Sequence, residues 1–520
     1  MAETQSVGAA GGAAASGPKR EILIVLPGLL LALILAMLDQ TVVSTALPRI
    51  VGDLGGVTHL SWVVTAYVLA STVTTPLYGK LGDQYGRKRW LVTAIVIFLI
   101  GSALSGLSHS MDQLIAFRAL QGFGAGGLMV GVFASIGDLV SPRERGQYMG
   151  YMMAAMMVAM VAGPLAGGYI TDSLSWRWIF YINMPVGGAA LLYLLATLRL
   201  PYRKTPHKID YLGAGVLAVA VTAIVLLTTW GGTQYAWRSA PIISLGVLAV
   251  AATVAYLVTE TRAAEPVMPL HVFRNRNFSL GSGMSFLAGV AMLGSLTFLP
   301  LYQQTVQHLS AVGSGLMLIP MMLGATVTSL VGGQVMTRTG RYKAMPIIGG
   351  AMLTLGLFLL TGLGLNTSLV TSGLFYVVLG IGMGFLMQTT SVIVQNSVEP
   401  RDMGVASSAR MFFQQIGGSM GVALFGAVFA RRLTEAIGAR PGVHLGTSGG
   451  NFDPVTVNRL PAPIRHDVFY AISHAIQGVF FWAAPSGILL FVLAWLIKEV
   501  PLRGSAPAAE APASEPEFAA

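Results

Sequence analysis

The sequence predicts an all-α polytopic membrane protein in which two six-helix bundles are joined through an inserted pair of helices. Three observations predict it: a composition foreign to soluble domains, apolar segments of bilayer length that recur from end to end, and a loop echoed between the two halves. The chain has 520 residues, 54% of them hydrophobic and 10% charged, whereas soluble domains carry about 25% charged residues. Its 63 glycines suit membrane helices that pack through small residues. There is no cysteine, which excludes disulfides, thiolate catalysis and Cys-ligated metals.

Segments of the roughly 18–25 residues needed to span a bilayer fall near 22–45, 60–79, 90–108, 113–137, 147–170, 178–199, 211–230, 240–259, 279–302, 312–335, 344–364, 369–394, 404–429 and 470–497. These fourteen spans (14 transmembrane helices) are bracketed by Ala-, Gly- and Ser-rich tails expected to be disordered, at 1–20 and 501–520. The apolar run after Lys19-Arg20 exceeds the h-region of a signal peptide. The expected units are an N-terminal bundle over 21–200, the inserted pair over 201–262 and a C-terminal bundle over 263–500. A long Gly-, Pro- and Asn-rich extracytoplasmic loop is expected near 431–467.

Charge placement orients the chain. With the N-terminus inside, the cytoplasmic loops and tails hold about 21 of the 31 Lys and Arg, against about 8 outside and 2 within spans. Both termini are therefore expected in the cytoplasm of a multi-pass inner-membrane protein. The net charge of +10 is accounted for by this bias, and no nucleic-acid partner is expected.

The first span places Asp39 inside an apolar run. A carboxylate at mid-membrane depth costs about 2.5–3.5 kcal/mol on insertion scales, so something must offset it, either a cation or a proton. The loop after span 2 reads Gly79-Lys80-Leu81-Gly82-Asp83-Gln84-Tyr85-Gly86-Arg87-Lys88, and Gly333 to Lys343 repeats its Gly-to-Gly-Arg spacing after span 10. Gly79, Gly82 and Gly86 permit a tight turn and close helix approach. Asp83 is suited to a helix N-terminus, and Arg87 and Lys88 to carboxylates such as Asp138, making a cytoplasmic gate. Span 4 holds Arg118 before Ala119-Leu120-Gln121-Gly122, and Asp39 is its expected partner. Span 5 carries Gly163-Pro164-Leu165-Ala166-Gly167-Gly168, where the proline removes a backbone donor and the glycines admit a neighbour, as a hinge or a tight seal. Methionines from Met149 to Met160 recur at helical spacing, and Met153 and Met157 are candidates for a site that adapts to many ligands. Gln303, Phe412 and Gln415 complete the substrate-binding candidates. Arg410 is read as either an inward-facing group or one that snorkels to the interface.

These motifs, with Trp176-Arg177-Trp178-Ile179-Phe180-Tyr181-Ile182-Asn183-Met184-Pro185-Val186-Gly187 at span 6, resemble the fourteen-span drug:proton antiporter branch of the major facilitator superfamily. The resemblance runs from the first span to the last. It implies the major facilitator fold, proton coupling through Asp39 and Arg118, and a span 5 motif typical of antiporters rather than importers. The expected function is proton-driven export of hydrophobic, cationic compounds by a monomer, with the proton motive force as energy source, no cofactor and no metal. The rival within transport is a dedicated exporter of an endogenous metabolite, antibiotic, lipid or siderophore. An enzyme or receptor is disfavoured, since the chain shows no zinc-binding His pair, phosphate-binding Gly-rich loop or nucleophile elbow. No residue pattern supports an adaptor protein.

Overall fold

A computed structural model of the chain describes residues 18–54, 60–140, 144–199, 210–232, 234–263, 266–309, 311–399, 402–438 and 462–502. Its first half comprises α1 (Pro18–Leu54), α2 (Leu60–Tyr85), α3 (Arg87–Gly106), α4 (Met111–Leu139), α5 (Arg145–Ser173), α6 (Trp178–Tyr181) and α7 (Asn183–Thr197). The inserted pair is α8 (Tyr211–Trp230) and α9 (Ala240–Arg262). A 3₁₀ turn at Leu270–Arg274 leads into the second half. That half comprises α10 (Arg276–Thr305), α11 (Ala311–Met317), α12 (Ile319–Thr339), α13 (Ala344–Leu360), α14 (Leu369–Asn396), α15 (Met403–Gly438) and α16 (Ala462–Leu496).

Local chemistry starts and stops these helices. Ser110 accepts from Gln113 N to cap α4, Asp210 from Gly213 N to cap α8, and Ser368 from Thr371 N to cap α14, each satisfying one orphan donor of a first turn. Gly86, at φ 95°, separates α2 from α3, and Gly340, at φ 70°, separates α12 from α13. Both adopt the left-handed region open to glycine at little cost. The echoed loops thus share a positive-φ glycine, although ψ differs, 126° at Gly86 and 2° at Gly340.

Twelve helical stretches among the described residues are long and apolar enough to cross a membrane. The other two expected spans are α2, diluted by Thr65, Ser71, Thr72, Thr74 and Thr75, and α13, which has 17 residues. Both pack among the bundle helices, α2 on α4 and α13 on α14. Several expected boundaries move. Residues 18–20 of the N-terminal tail are already helical, because α1 extends from Pro18 to Leu54. Span 6 is broken around Ile182 and span 10 around Leu318. Residues 431–438 of the expected long loop continue α15, and α16 begins at Ala462. The remainder of that loop, 439–461, and the tails at 1–17 and 503–520 lie outside the described residues.

Each bundle has its own apolar core, one around Phe98, Leu128 and Leu194 and the other around Tyr302, Leu357 and Phe480. Two seams join the halves: α5 packs on α12, and α2 on α15. Helix α8 lies over the second seam, touching both α2 and α15, with Trp62 edge-on to Trp230 at 5.3 Å.

Candidate functional site

Five helices of the first half converge on Asp39, which is 1% exposed. Arg118, two turns into α4, donates from Nη1 to Asp39 Oδ2 at 2.6 Å and to Gln121 Oε1 at 2.7 Å. Gln121 in turn donates to Asp39 Oδ1 at 2.7 Å, and Asn183, the first residue of α7, donates to the same oxygen at 2.8 Å. Asn183 also donates to Ser102 Oγ on α3, while its own Oδ1 is buried without a partner. The Tyr67 ring of α2 stacks beneath the guanidinium, 4.2 Å from Cζ, and Arg118 Nε reaches Val63 O at 3.4 Å.

Both carboxylate oxygens are therefore met by donors, Oδ2 by one and Oδ1 by two. Moving two charges out of water costs several kcal/mol per ion, and the pair persists only when such bonds satisfy it. Arg118 does not snorkel: it is 1% exposed and held entirely inside the bundle.

At one end of the molecule the second cluster closes the α2–α15 seam. Asp83 accepts from Gly404 N and Val405 N, both at 2.9 Å, and so caps the N-terminus of α15 across the seam. Arg87 Nη2 lies 2.6 Å from Asp83 Oδ1, and its Nε donates to Asp138 at the end of α4. A Cβ on Gly79 would stand 2.8 Å from Gly404 O, so glycine sets how closely α2 and α15 approach. Burial pushes the Asp83 carboxyl up to about 6, against the opposing pull of Arg87 and the two backbone amides. Two expectations need correction here. Gly82 has room for a side chain, its nearest neighbour being Arg87 Cγ at 3.7 Å. Lys88 binds no carboxylate among the described residues; its Nζ donates to Leu195 O near the end of α7.

The span 5 motif packs on α1 beside Asp39. A Cβ on Gly163 would overlap the Thr41 side chain, and Thr41 Oγ1 sits 3.5 Å from Ala159 O. The helix continues through Pro164 without a break, and Gly163 makes a close contact with α1. Gly167 is buried and its carbonyl accepts from Thr171, but Gly168 faces open space.

The five substrate candidates do not come together. Met153 and Met157 are half-buried on α5. Gln303 is fully buried inside the second bundle, next to the Tyr302 core residue. Phe412 shares a face of α15 with Val405, Ala409 and Ile416, and that face packs into the lateral core formed with α8. Its direction is set by the three- and four-residue spacing of those apolar neighbours. Gln415 is half-buried with an orphaned Oε1.

The opposite face of α15 carries Arg410, 3% exposed. Its Nη1 donates to Gln414 Oε1 at 3.0 Å and its Cζ lies 5.2 Å from the Phe133 ring on α4. A cation–π contact supplies about 0.5–2 kcal/mol, less than the several kcal/mol that burying an ion costs. No carboxylate of the described residues pairs with it.

Two bundles meeting along two seams, with an internally neutralised ion pair inside the membrane-spanning helices and an ionic latch at one end, define a membrane transporter rather than an enzyme. The comparisons agree. The family model described as Major Facilitator Superfamily matches residues 29–211 and 209–422, and the chain belongs to that family. It is 40% identical over 500 residues to an MFS-type transporter of Mycobacterium tuberculosis (strain ATCC 25618 / H37Rv), covering 95% of this chain and 72% of the relative. It is 38% identical over 414 residues to multidrug transporter protein MdtP of Bacillus subtilis (strain 168), covering 80% and 76%. Among solved structures, the proton:xylose symporter XylE superposes with a TM-score of 0.62 at 14% identity, over 93% of this chain and 97% of that one, a likeness of fold.

Three residues of these two clusters were not singled out from the sequence. Asn183 was visible as a lone amide in the apolar run of span 6, and Gln121 as a polar residue one turn after Arg118. Gly404, on which Asp83 and Gly79 close, was visible only as one small residue in the Gly-Val-Ala-Ser-Ser start of α15.

Proposed function

We propose that the chain is a proton-coupled antiporter that exports hydrophobic compounds across the cytoplasmic membrane as a monomer of fourteen spans. In this reading both termini and the Asp83–Arg87–Asp138 latch face the cytoplasm. The observation that carries it is the Asp39 network: a membrane-embedded carboxylate whose three donors, Arg118, Gln121 and Asn183, come from two other helices. Ionised Asp39 holds Arg118. A proton arriving from outside turns one carboxylate oxygen from acceptor into donor, and Arg118 is released to Gln121, Val63 O and the Tyr67 face. Helix α4 carries Arg118 near one end and Asp138 near the other, 20 residues or about 30 Å apart. A shift of α4 at the carboxylate is therefore felt at the latch. The likeness to a multidrug transporter supports drug export, and the proton motive force supplies the energy without a cofactor.

Asp39→Asn in reconstituted vesicles tests it. The expected result is loss of gradient-driven efflux and of proton counterflow, with the protein still inserted. Retained proton-coupled efflux overturns the reading.

A further inference from the structure

Arg410 is a buried cation that neither the Asp39 network nor the latch uses. It stands two turns into α15, above the Asp83 latch that caps the same helix. Its guanidinium lies against Phe133 of α4, five residues before Asp138, and the adjacent Met411 is packed into the core of the first bundle. The group therefore sits where the two halves meet, on the membrane side of the latch. Nη1 is taken by Gln414, whose Nε2 is directed at Met292 Sδ, 3.8 Å away. Among the described residues no acceptor reaches Nε or Nη2, the side-on edge of the fork, although the residue is 3% exposed. The carboxylates nearest in the fold are already engaged, Asp39 by Arg118 and both Asp83 and Asp138 by Arg87.

The geometry points to Arg410 as the recognition group for an anionic oxygen of the exported compound, which makes that compound an apolar acid rather than a hydrophobic cation. The free edge of a guanidinium is the donor pair that a carboxylate or sulfonate accepts bidentately. Gln414 fixes the orientation of the fork by holding Nη1. Phe133 gives an apolar body a ring to lie against. A cationic compound finds the reverse: a fixed positive charge and no unpaired carboxylate among the described residues of the seam. This deepens the export reading and rests on it.

The test uses the full-length protein in nanodiscs, without a pH gradient, and three probes on one scaffold: pyrenebutyrate, its methyl ester, and pyrenebutyl-trimethylammonium. Equilibrium binding is read from pyrene fluorescence. Wild type is expected to bind the carboxylate about tenfold or more tightly than the ester, and the ammonium most weakly. Arg410→Gln is expected to abolish the preference for the carboxylate by bringing its binding down to that of the ester. Arg410→Lys is expected to keep a reduced preference, since the charge remains and the fork does not. If Arg410→Gln fails to insert, Gln414→Leu is expected to weaken carboxylate binding alone. A wild type that favours the ammonium, binds all three equally or binds none overturns the inference, as does an Arg410→Gln protein that keeps the preference. Proton counterflow, measured separately, tests the antiport reading: its absence with the preference intact sinks that reading alone, and the converse sinks this one alone.

Discussion

Gly163 on α5 lies directly against Thr41 on α1, so closely that a Cβ on Gly163 would stand 2.6 Å from Thr41 Cβ. Thr41 is two residues past Asp39. Overpacking of a close helix contact costs about 1–3 kcal/mol, and here the strain enters α1 beside the carboxylate. Gly163→Ala is expected to reduce efflux about tenfold at normal membrane abundance. Gly168→Ala, which meets nothing within 4 Å, is expected to be silent. Drug accumulation assays on the two variants at matched expression check this pair.

Asn183 supplies one of the two donors on Asp39 Oδ1. A hydrogen bond to the charged form of an acid favours that form, and one made to a charged group is worth about 1.5–3 kcal/mol. Asn183→Leu is expected to lower proton-coupled efflux about tenfold at normal membrane abundance. Proton release on substrate addition, measured in proteoliposomes, checks it.

The Asp39–Arg118 pair predicts a non-additive cycle. Removing one partner of a buried pair leaves an uncompensated charge and costs about 3–5 kcal/mol, whereas removing both is close to neutral. Arg118→Gln is expected to lower thermal stability in detergent, and Asp39→Asn with Arg118→Gln to recover most of it. Neither protein is expected to couple protons. Unfolding midpoints of the two single variants and the double variant decide the matter.

The latch carries its own pH dependence. Burial holds the Asp83 carboxyl near 6, above the ordinary value of 3.8 that it regains once exposed. The closed latch therefore binds more protons than the open one, so acid favours closure. That contribution is fully present below about pH 4 and is lost as pH rises through about 6. The chain has no cysteine, so a Ser408→Cys protein reports the seam by a single thiol. Its modification rate, normalised to the unfolded protein, is expected to fall between pH 7 and 5. Asp83→Asn is expected to flatten the response.

Much of the architecture was legible because the bilayer imposes one length scale and a high cost for stray charge. Those two constraints picked out the apolar helices, Asp39 and Arg118 from residue types alone. What was not legible depends on helix rotation and on which helices meet. Phe412 looked like a ligand contact until the face it shares with Val405, Ala409 and Ile416 turned it toward α8. Lys88 looked like a latch residue, but its reach ends on the Leu195 carbonyl. Asn183 stood inside a segment read for its aromatics, and only the meeting of α3, α7 and α1 makes it a partner of Asp39.

The placement of α8 across α2 and α15 also makes the protein unequal in its own plane. A transporter of two bundles has two lateral fissures through which a lipid-dissolved molecule can slip into its middle. Here one of them is shuttered by the inserted pair. The other runs between α5 and α12, where Val158, Leu165, Val327 and Val331 present their side chains outward. Lipid thus meets the outer side of the α5–α12 seam directly, and reaches the α2–α15 seam only past α8.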